Sequence, residues 1–292
     1  MKTKKKRVGT KAEIRAIENR ERRMLTAIFL AFILLILIFS AYFTYNFLNQ
    51  PQNQTTTPAS SQLKAAIVDQ LSIAPTGGLN QTFIETATNT LKQAGYSVDY
   101  YPGEEVTVEL YRNLPAHGYK IIILRVHSSA TWVQGTESPV ILFTSERESQ
   151  TKYVYEQLTD QLMSVAYSKE EREKGITYFG ISPPFVTQSM KGKFPNTIII
   201  MMGCEGLDNP LMAEAFVEKG AKVYISWSGP VLASHTDTAV THLLQHFLIE
   251  ERTLKESVQE TFKQVGFDPA YKSLLTYYPL EVGEQTIENI KR

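Results

Sequence analysis

The apolar run Ile198-Ile199-Ile200-Met201-Met202, halted at Gly203-Cys204-Glu205-Gly206, constrains this chain more than any other stretch. A run so short and so rich in β-branched side chains reads as a strand buried on both faces, which implies a parallel sheet covered by helices. Asn209-Pro210 then starts a helix, with Asn at the cap and Pro at the first helical position. Leu211, Met212, Ala215 and Phe216 give it an apolar stripe, and Gly220 ends it. Val223-Tyr224-Ile225 begins the next strand, so residues 197–227 form a strand–loop–helix–strand unit. The single cysteine sits where the first of these strands ends. In open α/β sheets that edge is where chemistry gathers.

The rest of residues 63–292 repeats the alternation. Ala65-Ala66-Ile67-Val68 is a short buried strand ending at Asp69. Residues 82–94 have a helical stripe of Phe83, Ile84, Ala87 and Leu91, stopped by Gly95. Residues 96–101 alternate as a strand, and 107–114 predict a short helix before Pro115. Ile121-Ile122-Ile123-Leu124 is a second strongly apolar strand, leading to His127, and Val140–Phe143 reads as part of a hairpin or small side sheet. Residues 145–176 are charged and predict mostly helix, anchored by Tyr153, Leu158, Leu162 and Val165. Helices are expected over 236–250 and 254–265, and a last strand over 273–278. Strands alternating with helices predict one α/β domain, a mostly parallel sheet between two helical layers.

Composition adds an asymmetry. The formal net charge is zero, which gives no support for nucleic-acid binding. Residues 1–24 are nonetheless strongly basic, and the run 25–48 holds no charged residue. That run is long enough to cross a bilayer, and Tyr42, Phe43, Tyr45 and Phe47 cluster at its far end as an interfacial belt would. An uncleaved single-pass transmembrane helix is expected, because the apolar core is longer than that of a signal peptide and no small-x-small site follows. The basic flank orients the N-terminus to the cytoplasm and the C-terminal domain outward, with the lipid bilayer as a partner of 25–48. Residues 49–62 are polar and uncharged and read as a flexible stalk. Asn53-Gln54-Thr55 and Asn80-Gln81-Thr82 are glycosylation sequons. A lone Cys outside the membrane is a buried hydrophobe, an intermolecular bridge or a reactive thiol.

His127 and Cys204 both lie just past a buried strand. If those strands are neighbours, imidazole and thiol meet over one sheet edge, as thiol nucleophilic catalysis requires. Backbone N–H groups at Cys204 and at Ser128 would then stabilise an oxyanion, and Gly203 and Gly206 let the turn bend tightly. His235, His242 and His246 run along one helical side, but no carboxylate is spaced among them as in H-E-x-x-H. No metal and no cofactor is expected, and no Gly-rich phosphate loop follows the first strand.

The order of a hydrophobic block, His and a small residue, then a second block, a small residue, Cys and Glu resembles the caspase-like cysteine peptidases. That group includes caspases, legumains, gingipains and CHAT domains. The segment CEG, the AEAF helix and EKGAKVYISW extend the similarity, as do the helix from His235 and the LKESVQETF helix. The resemblance implies a caspase-like three-layer αβα sandwich behind the N-terminal transmembrane helix. It implies His127 as general base or acid and Cys204 as nucleophile, acting on a peptide or protein substrate. Asp69 would line the pocket for the residue before the scissile bond and favour Arg or Lys there, with Ser226 and Trp227 forming another wall. Where the family has Gly after the His, this chain has Ser128. Caspases are cut between the Cys strand and the strands that finish the pocket. No exposed linker stands there in this chain, so the domain is expected to be competent as one chain, with residues 145–174 as a lid. A degenerate peptide-binding relative and a ligand-binding α/β domain of flavodoxin type are the alternatives.

Overall fold

The computed structural model describes residues 24, 32–40, 42, 63–75, 77–133 and 136–291. The chain divides into two units, Met1–Ser60 and Ser61–Arg292. In the first unit residues 32–40 are helical with exposed apolar side chains. Among the described residues no helix is long and apolar enough to cross a membrane. The rest of the uncharged run 25–48, the basic segment 1–23 and the stalk with Asn53 lie outside the described residues.

The second unit is a mixed α/β fold. Its strands are β1 (Leu63–Asp69), β2 (Tyr96–Pro102), β3 (Ile121–Arg125), β4 (Ser128–Val133), β5 (Thr136–Arg147), β6 (Leu162–Val165), β7 (Tyr178–Ile181), β8 (Thr197–Met201), β9 (Ala221–Trp227) and β10 (Leu275–Tyr278). Its α-helices are α1 (Gln81–Gln93), α2 (Val108–Asn113), α3 (Val154–Leu158), α4 (Lys169–Glu173), α5 (Leu211–Glu218), α6 (Ala233–Leu244), α7 (Leu254–Val265) and α8 (Ile287–Lys291). The central sheet runs β10-β9-β8-β3-β1-β2. All of its pairings are parallel except that of β10, which lies antiparallel to β9. The strands ending near Asp69, His127, Cys204 and Trp227 are thus consecutive neighbours.

The apolar runs serve both faces. Ala65, Ile67, Ile121, Ile123, Ile198 and Ile200 pack into one core with Phe83 and Leu91 of α1 and Val240 and Leu243 of α6. Ala66, Val68, Ile122, Leu124, Ile199 and Met201 pack into a second core with Tyr111 of α2 and Met212 and Phe216 of α5. Successive side chains in a strand point to opposite faces, so an unbroken run such as Ile121–Leu124 is what a doubly covered strand needs. Each fully buried aliphatic side chain contributes about 1.5–3 kcal/mol.

Departures from the sequence reading include two segments. Helix α5 starts at Leu211 with Pro210 in the cap position, while the Asn209 side chain accepts from the Leu211 N–H at 3.3 Å. Residues 145–176 are not mostly helical: β5 runs to Arg147, α3 and α4 are short, and β6 enters a four-stranded antiparallel side sheet of order β4-β5-β7-β6. Leu158, Leu162 and Val165 have helical spacing, but Asp160 takes a positive φ of 55° between them and ends any helix. Leu162 and Val165 are buried from the strand, whereas Leu158 is 80% exposed. Asn80 has a structural duty. Its side chain accepts from the Phe83 N–H at 3.1 Å, capping α1, and donates to Asp237 at 2.8 Å.

Candidate active site

Strands β3 and β8 pair in register from Ile121–Ile198 to Leu124–Met201. The chain continues past them to His127 on one strand and Cys204 on the other, at the same edge of the sheet. The Met202 N–H donates to the Leu124 carbonyl at 2.8 Å, holding the two exits together. Ser128 Oγ donates to the Cys204 carbonyl at 2.6 Å. The Ala130 N–H donates to the Glu205 carboxylate at 2.6 Å. These contacts follow from β4 being an edge strand. The Phe143 N–H donates to the His127 carbonyl at 2.9 Å, and Ser128 stands opposite Leu142. Alternation in an antiparallel ladder then turns the N–H groups of Ser128 and Ala130 away from β5, on the side where Ala130 meets Glu205.

The turn at Cys204 is shaped by close approach. A Cβ at Gly203 would collide with Ser128 Oγ and the Val126 carbonyl, and one at Gly206 with Ser226 Oγ. Only glycine lets the His and Cys segments come this near. Glu205 holds φ at 62°, a left-handed conformation uncommon for a side-chain-bearing residue. Its N–H donates to the Gly229 carbonyl at 2.9 Å, and its carboxylate is the one that Ala130 holds.

His127 and Cys204 line one cleft of about 190 Å³. Leu71, Val126 and Met202 form its inner walls, and Val231, Leu232 and Tyr271 form the outer ones. The half-buried Cys204 Sγ lies 3.6 Å from the Val231 carbonyl and 3.5 Å from the Val231 N–H. Burial pushes the Cys204 thiol up from its ordinary value, against the opposing pull of Val231. Burial pushes the His127 imidazole down. Both shifts favour the uncharged forms of the two side chains.

Two buried polar residues position these walls. Gln70 Oε1 accepts from the His127 N–H at 2.9 Å, and Gln70 Nε2 donates to the Tyr167 hydroxyl. The His127 ring packs edge-on against Phe143 at 4.6 Å and tilted against Tyr167 at 5.4 Å. Asp268 organises the outer wall, accepting from the N–H groups of Leu232, Ala270 and Tyr271 at 2.8–2.9 Å. Burial works to raise the Asp268 carboxyl, but those three donors outweigh it and hold it below the usual range. Ser273 Oγ also donates to the Pro230 carbonyl at 2.5 Å. The sequence reading singled out neither Gln70 nor Asp268; a polar residue beside a strand or in a loop carries no mark of burial.

Three residues expected in the substrate pocket lie elsewhere. Asp69 is fully buried and paired with Arg125 Nη1 at 2.7 Å. Arg125 also meets Asp237 through Nε at 2.8 Å and Nη2 at 3.0 Å, and Tyr100 donates to Asp69. A carboxylate already holding a buried guanidinium is not available to a basic substrate. Ser226 is buried and donates to the Met201 carbonyl at 2.8 Å. Trp227 is buried and donates from Nε1 to Thr236 Oγ1 at 2.9 Å, so its ring builds the core. His235 packs on Trp227, and His246 Nδ1 is 3.0 Å from Glu250. Among the described residues no three His, Cys, Asp or Glu side chains gather in a way that could hold a metal ion.

No protein-family model and no curated protein matches the chain. Among solved structures it is similar to the Arg-specific cysteine proteinase gingipain R (RGPB), at 14% identity and a TM-score of 0.42. The match covers 71% of this chain and 43% of that one. A likeness at this level fixes neither activity nor substrate.

Proposed function

We propose that residues 63–292 are a cysteine hydrolase of caspase-like architecture that cleaves peptide bonds. One observation carries the reading: His127 and Cys204 leave neighbouring parallel strands at the same sheet edge and line one cleft, with their loops bonded together through Ser128, Ala130 and Glu205. In the proposed reaction Cys204 Sγ attacks the scissile carbonyl carbon while His127 takes the thiol proton. The Cys204 and Ser128 N–H groups hold the oxyanion. His127 then returns the proton to the leaving amine, giving a thioester. Water, deprotonated by His127, attacks the thioester, and the sulfur leaves with that proton as thiol.

The turn from Cys204 passes through α5 directly into β9, which supports activity without a cut in that segment. The proposed lid 145–174 touches the base through Tyr167. The uncharged run 25–48, with its basic flank, supports anchoring in a membrane with the hydrolase domain on the far side.

The test is active-site labelling of the chain with a peptidyl ketone, read by mass spectrometry, alongside peptide turnover. Cys204→Ala should abolish both, and His127→Asn should lower turnover by about 10²-fold or more, the usual size of a general acid–base contribution. Unchanged turnover in Cys204→Ala would sink the proposal.

A further inference from the structure

Resting on the hydrolase reading, we infer that the cleft beside Cys204 takes the side chain on the acyl side of the reacting bond, and that this side chain is uncharged and apolar. The chemistry of the walls carries the inference. Leu71, Val126 and Met202 are buried and face the cleft from inside, and Val231 continues the apolar surface on the other side. Leu232 and Tyr271 complete the wall yet remain 37% and 53% exposed. Large apolar groups left open to water around a reactive side chain mark a binding surface.

No Lys, Arg, Asp or Glu side chain lines this cleft among the described residues. Two carboxylates act on the Cys204 thiol from nearby, Glu205 and Asp268. Both are committed: Glu205 holds the Ala130 N–H, and Asp268 holds the N–H groups of Leu232, Ala270 and Tyr271. Asp69, the carboxylate that a basic preference would need, is neutralised by Arg125 inside the core. A charged side chain entering the cleft would shed its hydration and find no partner, whereas an apolar one gains by leaving water.

The test uses the full chain and four peptides identical except for Leu, Phe, Arg or Asp on the acyl side of the scissile bond. Two readouts are taken: the rate of Cys204 labelling by the matched peptidyl ketones, and equilibrium binding of the peptides to Cys204→Ala. Leu or Phe should exceed Arg and Asp by roughly tenfold or more in both, the scale on which apolar pockets discriminate. Faster labelling by Arg or Asp would overturn the inference and leave the hydrolase reading standing. Tight Leu binding to Cys204→Ala without labelling of the unaltered chain would support the subsite and sink the hydrolase reading. Equal binding of all four peptides would overturn the inference whatever the labelling. Leu232→Glu gives a second check, since that side chain is partly exposed and its loss should not unfold the domain. The variant should shift preference toward the Arg peptide by several-fold; a folded Leu232→Glu with unaltered preference would count against the subsite.

Discussion

At the scale of single residues, the Cys204 thiol lies above its ordinary pKa and the His127 imidazole below its own, both through burial. The consequences for pH have definite signs. Alkylation of Cys204 by a small neutral reagent needs thiolate, so its rate in the folded chain should reach half its maximum above about pH 8.5, the midpoint of an unperturbed thiol. A rate already level at pH 7 would instead reveal a resting thiolate–imidazolium pair. Peptide turnover needs neutral His127, so its acid limb should fall below about pH 6.5. The same depressed pKa means that the unfolded chain binds more protons than the folded one between the folded value and about 6.5. That contribution to stability is complete above this window and is lost as pH falls through it.

At the scale of elements, the turn after β8 works only because it can touch the segment after β3. Gly203→Ala would drive a Cβ into Ser128 Oγ and the Val126 carbonyl, which is backbone and cannot swing aside. The variant should keep the far-ultraviolet dichroism of an α/β domain but lose at least tenfold in the rate of Cys204 labelling by a peptidyl ketone, in keeping with the sensitivity of reaction to small misplacement. Retained labelling would mean that the close contact of Gly203 with Ser128 and Val126 does not position the thiol. The central strands could be read directly from the sequence because Ile121–Leu124 and Ile198–Met202 are too short and too β-branched for helices. The side sheet could not, because β6 is only four residues long and its Leu162 and Val165 also fit a helical stripe. That His127 and Cys204 reach the same sheet edge followed from two strand ends alone. The pocket residues did not, because a carboxylate at a strand end looks the same whether it faces a substrate or a buried cation.

At the scale of the whole molecule, that buried cation joins distant parts. Arg125 on β3 holds Asp69 on β1, Asp237 on α6 and the Gly78 carbonyl in the loop before α1. The partners lie 56 and 112 residues away for Asp69 and Asp237, so nothing local announces them. Burial alone would lower the Arg125 guanidinium, but Asp237 and Asp69 outweigh it and push it up, so it stays charged. Arg125→Met would strand two buried carboxylates and should cost about 3–5 kcal/mol of stability, measured by denaturant unfolding of the chain. A loss below about 1 kcal/mol would show that the two aspartates readily protonate or rehydrate.

His127 stands between β3 of the large sheet and β4 of the small one, with Val126 on one side and Ser128 on the other. It belongs to neither sheet and serves as the joint between them. Cys204, by contrast, follows β8 inside the large sheet. Val140, Leu142 and Ile181 of the small sheet share one buried core with Ile122, Leu124 and Met201 of the large one, so where His127 stands relative to Cys204 is set by how the two sheets pack.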